Sequence, residues 1–281
     1  MLLTLILSTV LATADGRAVT GTVAELSGEP VRGALVLLRT TLPTGATTRR
    51  ATTDDAGRFR ISGVVVGAHT LRVNAVGFLR PDPISFALLE SDRSREVRII
   101  VERGMPRTVR AFDAAGQPLA GARVICASDG IVRALSEADA KGRAVLPTPA
   151  GSATVYVIAN DGAFGIRRIA PAEKDVRVDV PAAAGALEVA TLTTDGAPLP
   201  HVGLLVRYNG ELLPKETLRF RTGEDGRARL AAIPRGTYEL WPYRSEDEAD
   251  ALMVSVSTAT APATLNVLTG ENRVTIRFRR R

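Results

Sequence analysis

The chain has 281 residues, is 45% hydrophobic but only 4% aromatic, and carries a formal net charge of +6. Its basic residues are almost all arginine, with Lys141, Lys174 and Lys215 the only lysines, and along the sequence they are scattered between acidic residues without forming a stripe, so nucleic-acid binding is not expected. A single cysteine, Cys126, excludes an intrachain disulfide and a cysteine-based metal site, and within Val124-Ile125-Cys126-Ala127 it reads as a buried, inert thiol.

In chain order, the first element is the apolar run Leu2 to Leu11, followed by Ala12-Thr13-Ala14. A short apolar run ending in a small-x-small site predicts an export signal over residues 1–14, cleaved after Ala14 to leave Asp15 as the mature N-terminus. The expected location is then secreted or periplasmic, at the cell envelope. No Lys or Arg precedes the run, and the alternative is a buried first strand. The run is too short to cross a hydrocarbon core of about 30 Å as a helix. No cysteine lies near the site to take a lipid anchor, and no other stretch is apolar enough to span a membrane.

A turn-and-strand signature is then written three times. The first copy is Gly28-Glu29-Pro30 with Ala34, then Asp54-Asp55-Ala56-Gly57-Arg58-Phe59, then Gly67-Ala68-His69-Thr70-Leu71-Arg72-Val73. The second is Gly116-Gln117-Pro118 with Ala122, then Lys141-Gly142-Arg143, then Gly151-Ser152-Ala153-Thr154-Val155. The third is Gly196-Ala197-Pro198 with Val202, then Asp225-Gly226-Arg227, then Gly236-Thr237-Tyr238-Glu239-Leu240. The Gly-Arg pairs recur about every 85 residues, the size of whole small domains and too long for a solenoid repeat. Expected domains are 17–103, 104–184 and 185–281, with Pro181 to Gly185 as the last linker. Each buries roughly 60% of its unfolded surface, enough to fold alone with modest stability.

Within the units, apolar residues alternate at period two, as in Val19, Gly21 and Val23 or Phe59 and Ile61. Turn residues separate the runs, and seven or so short strands per unit predict an all-β chain of tandem sandwiches. Only Glu246 to Leu252 shows a helical period.

The run from Val23 through Gly28-Glu29-Pro30, Ala34, Asp54, Gly57-Arg58-Phe59, Gly67, Leu71 and Val73 resembles the carboxypeptidase regulatory-like domain. The resemblance covers nearly all of the first unit. The second and third are degenerate: Ala144 and Ala228 stand where Phe59 does, and His201 replaces the glycine of Gly33 and Gly121. It implies three tandem seven-stranded, transthyretin-like Greek-key β-sandwiches. It also implies a non-enzymatic structural or recognition module, or an accessory of an envelope peptidase or transport system. The implied partner is an envelope protein or polysaccharide.

No reactive constellation repeats with the signature. The two histidines, His69 and His201, fall in different units; His69 reads as sheet-facing and structural, His201 as an exposed turn residue, and no metal site or cofactor is expected. The acidic turns at Asp54-Asp55, Asp139 and Glu224-Asp225 lack the alternating spacing of a calcium loop and read as turn caps. Tyr243-Arg244-Ser245 resembles the Tyr-Arg-Gly-Ser tail of transthyretin-like 5-hydroxyisourate hydrolases, but lacks the glycine, the terminal position and a histidine pair. The chain is therefore read as not an enzyme. An isopeptide crosslink is not expected either, because the first unit has no lysine and Lys141 and Lys215 lie in turn-like segments. The candidate ligand-contact residues are Trp241, Tyr243 and Tyr208 of the third unit, near Phe220 and Tyr238, as an aromatic surface for a sugar ring or protein partner. Most of these rings would alternatively fill the core. Arg277 and Arg279 to Arg281 read as a charged strand end that blunts an edge.

Overall fold

The computed structural model describes residues 16–42, 45–128, 130–218, 220–245, 248–249, 252 and 263–278. The expected signal with its cleavage after Ala14, the arginines 279–281 and four residues of the expected helix at 246–252 lie outside the described residues. The described part of that helix, Glu248, Ala249 and Leu252, is helical.

The chain divides into two compact units, Met1–Arg103 and Gly104–Arg281. The first contains β1 (Ala18–Glu25), β2 (Leu35–Leu42), β3 (Gly45–Thr52), β4 (Arg58–Ser62), β5 (Gly67–Asn74), β6 (Ile84–Leu88) and β7 (Ser94–Val101). They form a four-stranded sheet, β3-β2-β5-β6, and a three-stranded sheet, β4-β1-β7, in which β1 and β7 run parallel. Alternation does the work here: Val36 and Leu38 of β2, Leu71 and Val73 of β5, Phe59 and Ile61 of β4 and Ile99 of β7 point inward into one core. Burying each such side chain is worth about 1.5–3 kcal/mol.

The second unit holds two further copies of this topology. The first runs through β8 (Met105–Phe112), β9 (Arg123–Ser128), β10 (Ile131–Glu137), β11 (Arg143–Thr148), β12 (Ala153–Ile158), β13 (Phe164–Ile169) and β14 (Asp175–Asp179). Its sheets are β10-β9-β12-β13 and β11-β8-β14. The next runs through β15 (Gly185–Thr193), β16 (Gly203–Tyr208), β17 (Glu211–Leu212), the short helix α1 (Lys215–Leu218), β18 (Arg227–Ile233), β19 (Gly236–Tyr243), β20 (Ala263–Val267) and β21 (Gly270–Phe278). Its sheets are β17-β16-β19-β20 and β18-β15-β21. Every pairing of the first sandwich recurs with the strand number raised by seven, and again by fourteen.

The repeated Gly-Arg turn has a physical cause. Asp54 Oδ1 accepts from the backbone N–H groups of Ala56 (3.0 Å) and Arg58 (2.8 Å), and Asp139 Oδ1 does the same for Lys141 (2.9 Å) and Arg143 (2.8 Å). The glycine takes φ of 69° at Gly57, 69° at Gly142 and 67° at Gly226. A Cβ there would lie 2.4 Å from the Val23 carbonyl oxygen, 2.6 Å from that of Ala111 or 2.7 Å from that of Thr191. Only glycine satisfies both the conformation and the space. At the position of Gly33 (φ 72°) and Gly121 (φ 70°), His201 is itself left-handed at 59°, which costs roughly 1–2 kcal/mol for a residue with a Cβ.

The second unit departs from three self-standing sandwiches. Burial in β9 does not alternate: Val124, Ile125, Cys126 and Ala127 are all buried, as are Val155, Tyr156, Val157 and Ile158 of β12. Such runs mark a sheet covered on both faces. Val124, Cys126, Val155 and Val157 fill their own sandwich. Ile125, Ala127, Tyr156, Ile158 and Phe164 instead join Leu187, Leu204, Val206, Tyr238 and Leu240 in one continuous core with the following sandwich.

Candidate functional site

The three expected ligand-contact residues lie on or beside β19, a strand buried on both faces at its C-terminal end. Trp241 is 2% exposed and Tyr243 6%, so neither ring offers a face to a sugar. They pack with Leu205 and Ala249, and with Leu212 and Leu252 at the margin, so the helical turn after β19 covers the outer face of its own sheet. This corrects the expectation of a surface platform: the apolar side chains of that turn supply the cover, a contact the strand pattern alone does not reveal. Tyr208 is half-buried, donates its hydroxyl to the Arg235 carbonyl (2.8 Å), and packs between Phe164 and Tyr238 with ring centroids 5.0 Å away in each case. Phe220 and Tyr238 are core residues. The Arg207 guanidinium lies 4.9 Å from the Trp241 ring and pairs with Glu239 at 2.7 Å. The Trp241 indole nitrogen has no hydrogen-bond partner among the described residues.

One cluster of polar groups in the second unit lies at the seam between its two sandwiches. Glu211 of β17 accepts from Arg168 (2.6 Å) and from the Tyr156 hydroxyl (3.3 Å). Burial, followed by the Glu211 charge, pushes the Tyr156 phenol up, so it stays a neutral donor. Arg123 of β9 donates to the carbonyls of Glu216 (2.9 Å) and Thr217 (3.0 Å), clamping α1 onto the preceding sandwich. Beside this clamp lies a cleft of about 390 Å³ lined by Arg123, Asn160, Asp161, Thr217, Arg229 and apolar neighbours. Arg229 is held by Glu271 at 2.5 Å, and the Thr217 hydroxyl is buried without a partner among the described residues.

Other groups that could do chemistry are committed to structure. His69 sits in the first core with Nδ1 3.0 Å from Thr40 Oγ1 and Nε2 3.0 Å from the Val65 carbonyl, which requires Nε2–H as donor there. Burial holds its pKa below the ordinary 6.5. Its neighbour Phe86 stacks at 5.4 Å. His201 is exposed, with Nε2 3.0 Å from Glu224. The Cys126 thiol is buried and pushed up to about 12 by desolvation. Arg107 is 2% exposed; its Nε donates to Thr148 Oγ1 at 2.6 Å and its terminal nitrogens to the carbonyls of Ala170 and Pro171 at 2.6 Å. That guanidinium closes a loop that short-range sequence patterns do not tie to β8. Asp54 and Asp139 spend their oxygens capping turns, and those backbone donors hold both carboxyls below the usual range.

These features define the class: an all-β chain of seven-stranded sandwiches repeated in tandem, with side chains spent on turns, cores and a seam. Residues 18–99, the first sandwich, match the model of the carboxypeptidase regulatory-like domain. A comparison with curated proteins returns no match. Among solved structures the chain is similar to the TIE protein of Bacillus anthracis, at 16% identity and TM-score 0.28, covering 94% of this chain and 50% of that one. It is also similar to the major pilin subunit of Bacillus cereus, at 14% identity and TM-score 0.27, covering 92% and 98%. A third likeness, to an (S)-allantoin synthase, has 18% identity and TM-score 0.27 over 31% and 40%. With a pilin and an enzyme matched equally loosely, these superpositions carry no argument about activity. No helix among the described residues is long and apolar enough to cross a membrane.

Proposed function

We propose that this chain is a non-enzymatic structural and recognition protein of the cell envelope, secreted or periplasmic. The observation that carries the reading is the seam of the second unit. Five apolar side chains of one sandwich enter the core of the next, and Arg123, Arg168, Tyr156 and Glu211 fix the join with polar contacts. A shared core of this kind joins the two sandwiches into one stiff body, suited to holding a neighbouring module in a fixed orientation. The family match of the first sandwich supports the same role, and export follows from the apolar run before Asp15.

The test is fractionation of cells expressing a C-terminally tagged chain, with N-terminal sequencing of the product. Recovery from the periplasm or medium with Asp15 first is the expected result. A cytoplasmic product that retains Met1 contradicts the envelope role.

A further inference from the structure

The four strands of sheet β3-β2-β5-β6 contain no Asp or Glu. Residues 30–81 carry eight arginines against two aspartates, a local excess as large as the net +6 of the whole chain. In sequence these arginines are scattered, but strand register gathers them. Arg50 of β3 and Arg72 of β5 both lie opposite Leu37 of β2, one on each side, and Arg39 is two residues further along β2. Arg39 and Arg72 alternate with the buried Val36, Leu38, Leu71 and Val73, and Arg50 shares the face of its partner Leu37, so all three stand on the outer face. With strands about 4.8 Å apart, Arg50 and Arg72 flank β2 at about 10 Å. The adjoining cross-strand row is Thr48, Arg39, Thr70 and Ser85, which adds hydroxyls beside the guanidinium groups. The other sheet of the same sandwich differs: Glu96 interrupts its outer face, and Asp54 pairs with Arg58 at 3.1 Å.

We propose that this outer face is a docking surface for an acidic polysaccharide. Arg50 and Arg72 take its carboxylate or sulfate groups, Arg39 adds its charge beside them, and Thr48, Thr70 and Ser85 take its ring hydroxyls. Guanidinium forks match planar oxyanions in two-point contacts, and a flat pleated face presents them along an extended chain. Among these outward residues there is no aromatic ring to stack on a nucleobase, and the apolar ones, Leu35 and Leu37, are half-buried between the polar side chains and too short to enter a bilayer, which favours a polysaccharide over nucleic acid or membrane. The inference rests on the recognition role above, but binding is read in vitro, so its failure leaves the fractionation result standing.

The experiment is titration of the full chain onto immobilised polygalacturonate at low and moderate salt, with neutral dextran, anionic phospholipid vesicles and duplex DNA as further probes. Saturable, salt-weakened binding to polygalacturonate is expected, with none to dextran. The double variant Arg50→Glu/Arg72→Glu should weaken it about tenfold or more. Arg60→Glu/Arg98→Glu, an equal charge change on the opposite sheet, should alter it less than about threefold. The milder Arg50→Gln/Arg72→Gln should also weaken binding, and covers the case in which the reversal perturbs folding. No binding, equal losses from the two double variants, or preferential binding to vesicles or DNA overturns the proposal.

Discussion

Arg72, Tyr156 and Trp241 occupy equivalent places, on the outer face of the second strand from the edge, in three sheets of identical topology. The first, with Arg39 and Arg50, presents charge on an open face. The second is buried against the following sandwich, and the third lies under its own helical turn. Turns and inner faces therefore repeat one fold, while the outward residues decide what each copy meets. An apolar row makes a sheet dock; a row of arginine and threonine leaves it to solvent or a charged partner.

The sharpest way to break this comparison is to give the second copy the outward residue of the first. Tyr156→Arg places a charge in the shared core and removes a large buried ring, so it should cost the second unit about 3 kcal/mol or more in urea unfolding. A loss below about 1 kcal/mol would mean the seam is not a core. The shared part of the code makes the opposite forecast. Gly57→Ala and Gly142→Ala should each destabilise by about 2 kcal/mol or more, by similar amounts, since both combine φ near 70° with a clashing carbonyl. Unequal costs would show that the copies use the turn differently. Glu211→Gln removes the ion pair at the seam. Because Arg168 is largely exposed, the expected cost is only about 1 kcal/mol, shrinking further in high salt.

The smallest effect is a pH dependence confined to the first unit. The pKa of His69 is lowered by burial in the fold, so the unfolded chain binds its proton first as pH falls. The stabilisation is complete above the ordinary 6.5 and declines as pH drops below it. Replacement by a non-titrating group, His69→Gln, should flatten the melting temperature of the first unit between pH 7.5 and 5.5. A slope unchanged in the variant would assign the pH dependence to other groups.

The strand code was legible because it is local. Alternation around Val19, Phe59 and Leu71, the Asp caps and the Gly-Arg turns announce seven-stranded sandwiches; His69 is the buried sheet residue its strand position suggests, His201 the exposed turn residue, and Asp54 and Asp139 cap turns. The seam is half legible: Val124 to Ala127 is a four-residue apolar run without alternation, a signal of two-sided burial, but a buried thiol and its surroundings account for the same run. Cover over Trp241 and Tyr243 was not legible, since it comes from Ala249 and Leu252, in a separate helical turn whose packing direction no period encodes. Nor was the cationic face. Arg39, Arg50 and Arg72 are far apart in sequence and become neighbours only through register, although the scarcity of acids between residues 30 and 81 was there to be counted.

The central claim, that equivalent outer faces have opposite exposure, is tested most directly by thiol labelling of single-cysteine variants in the folded full chain. With Cys126 replaced by serine, cysteine is introduced in turn at position 72 and at position 125, and reaction with an aromatic disulfide reagent is timed. The account predicts that Arg72→Cys reacts at close to the rate of an unstructured peptide, while Ile125→Cys is protected by at least about a hundredfold, reacting only when the second unit opens. Comparable rates at the two positions would contradict it.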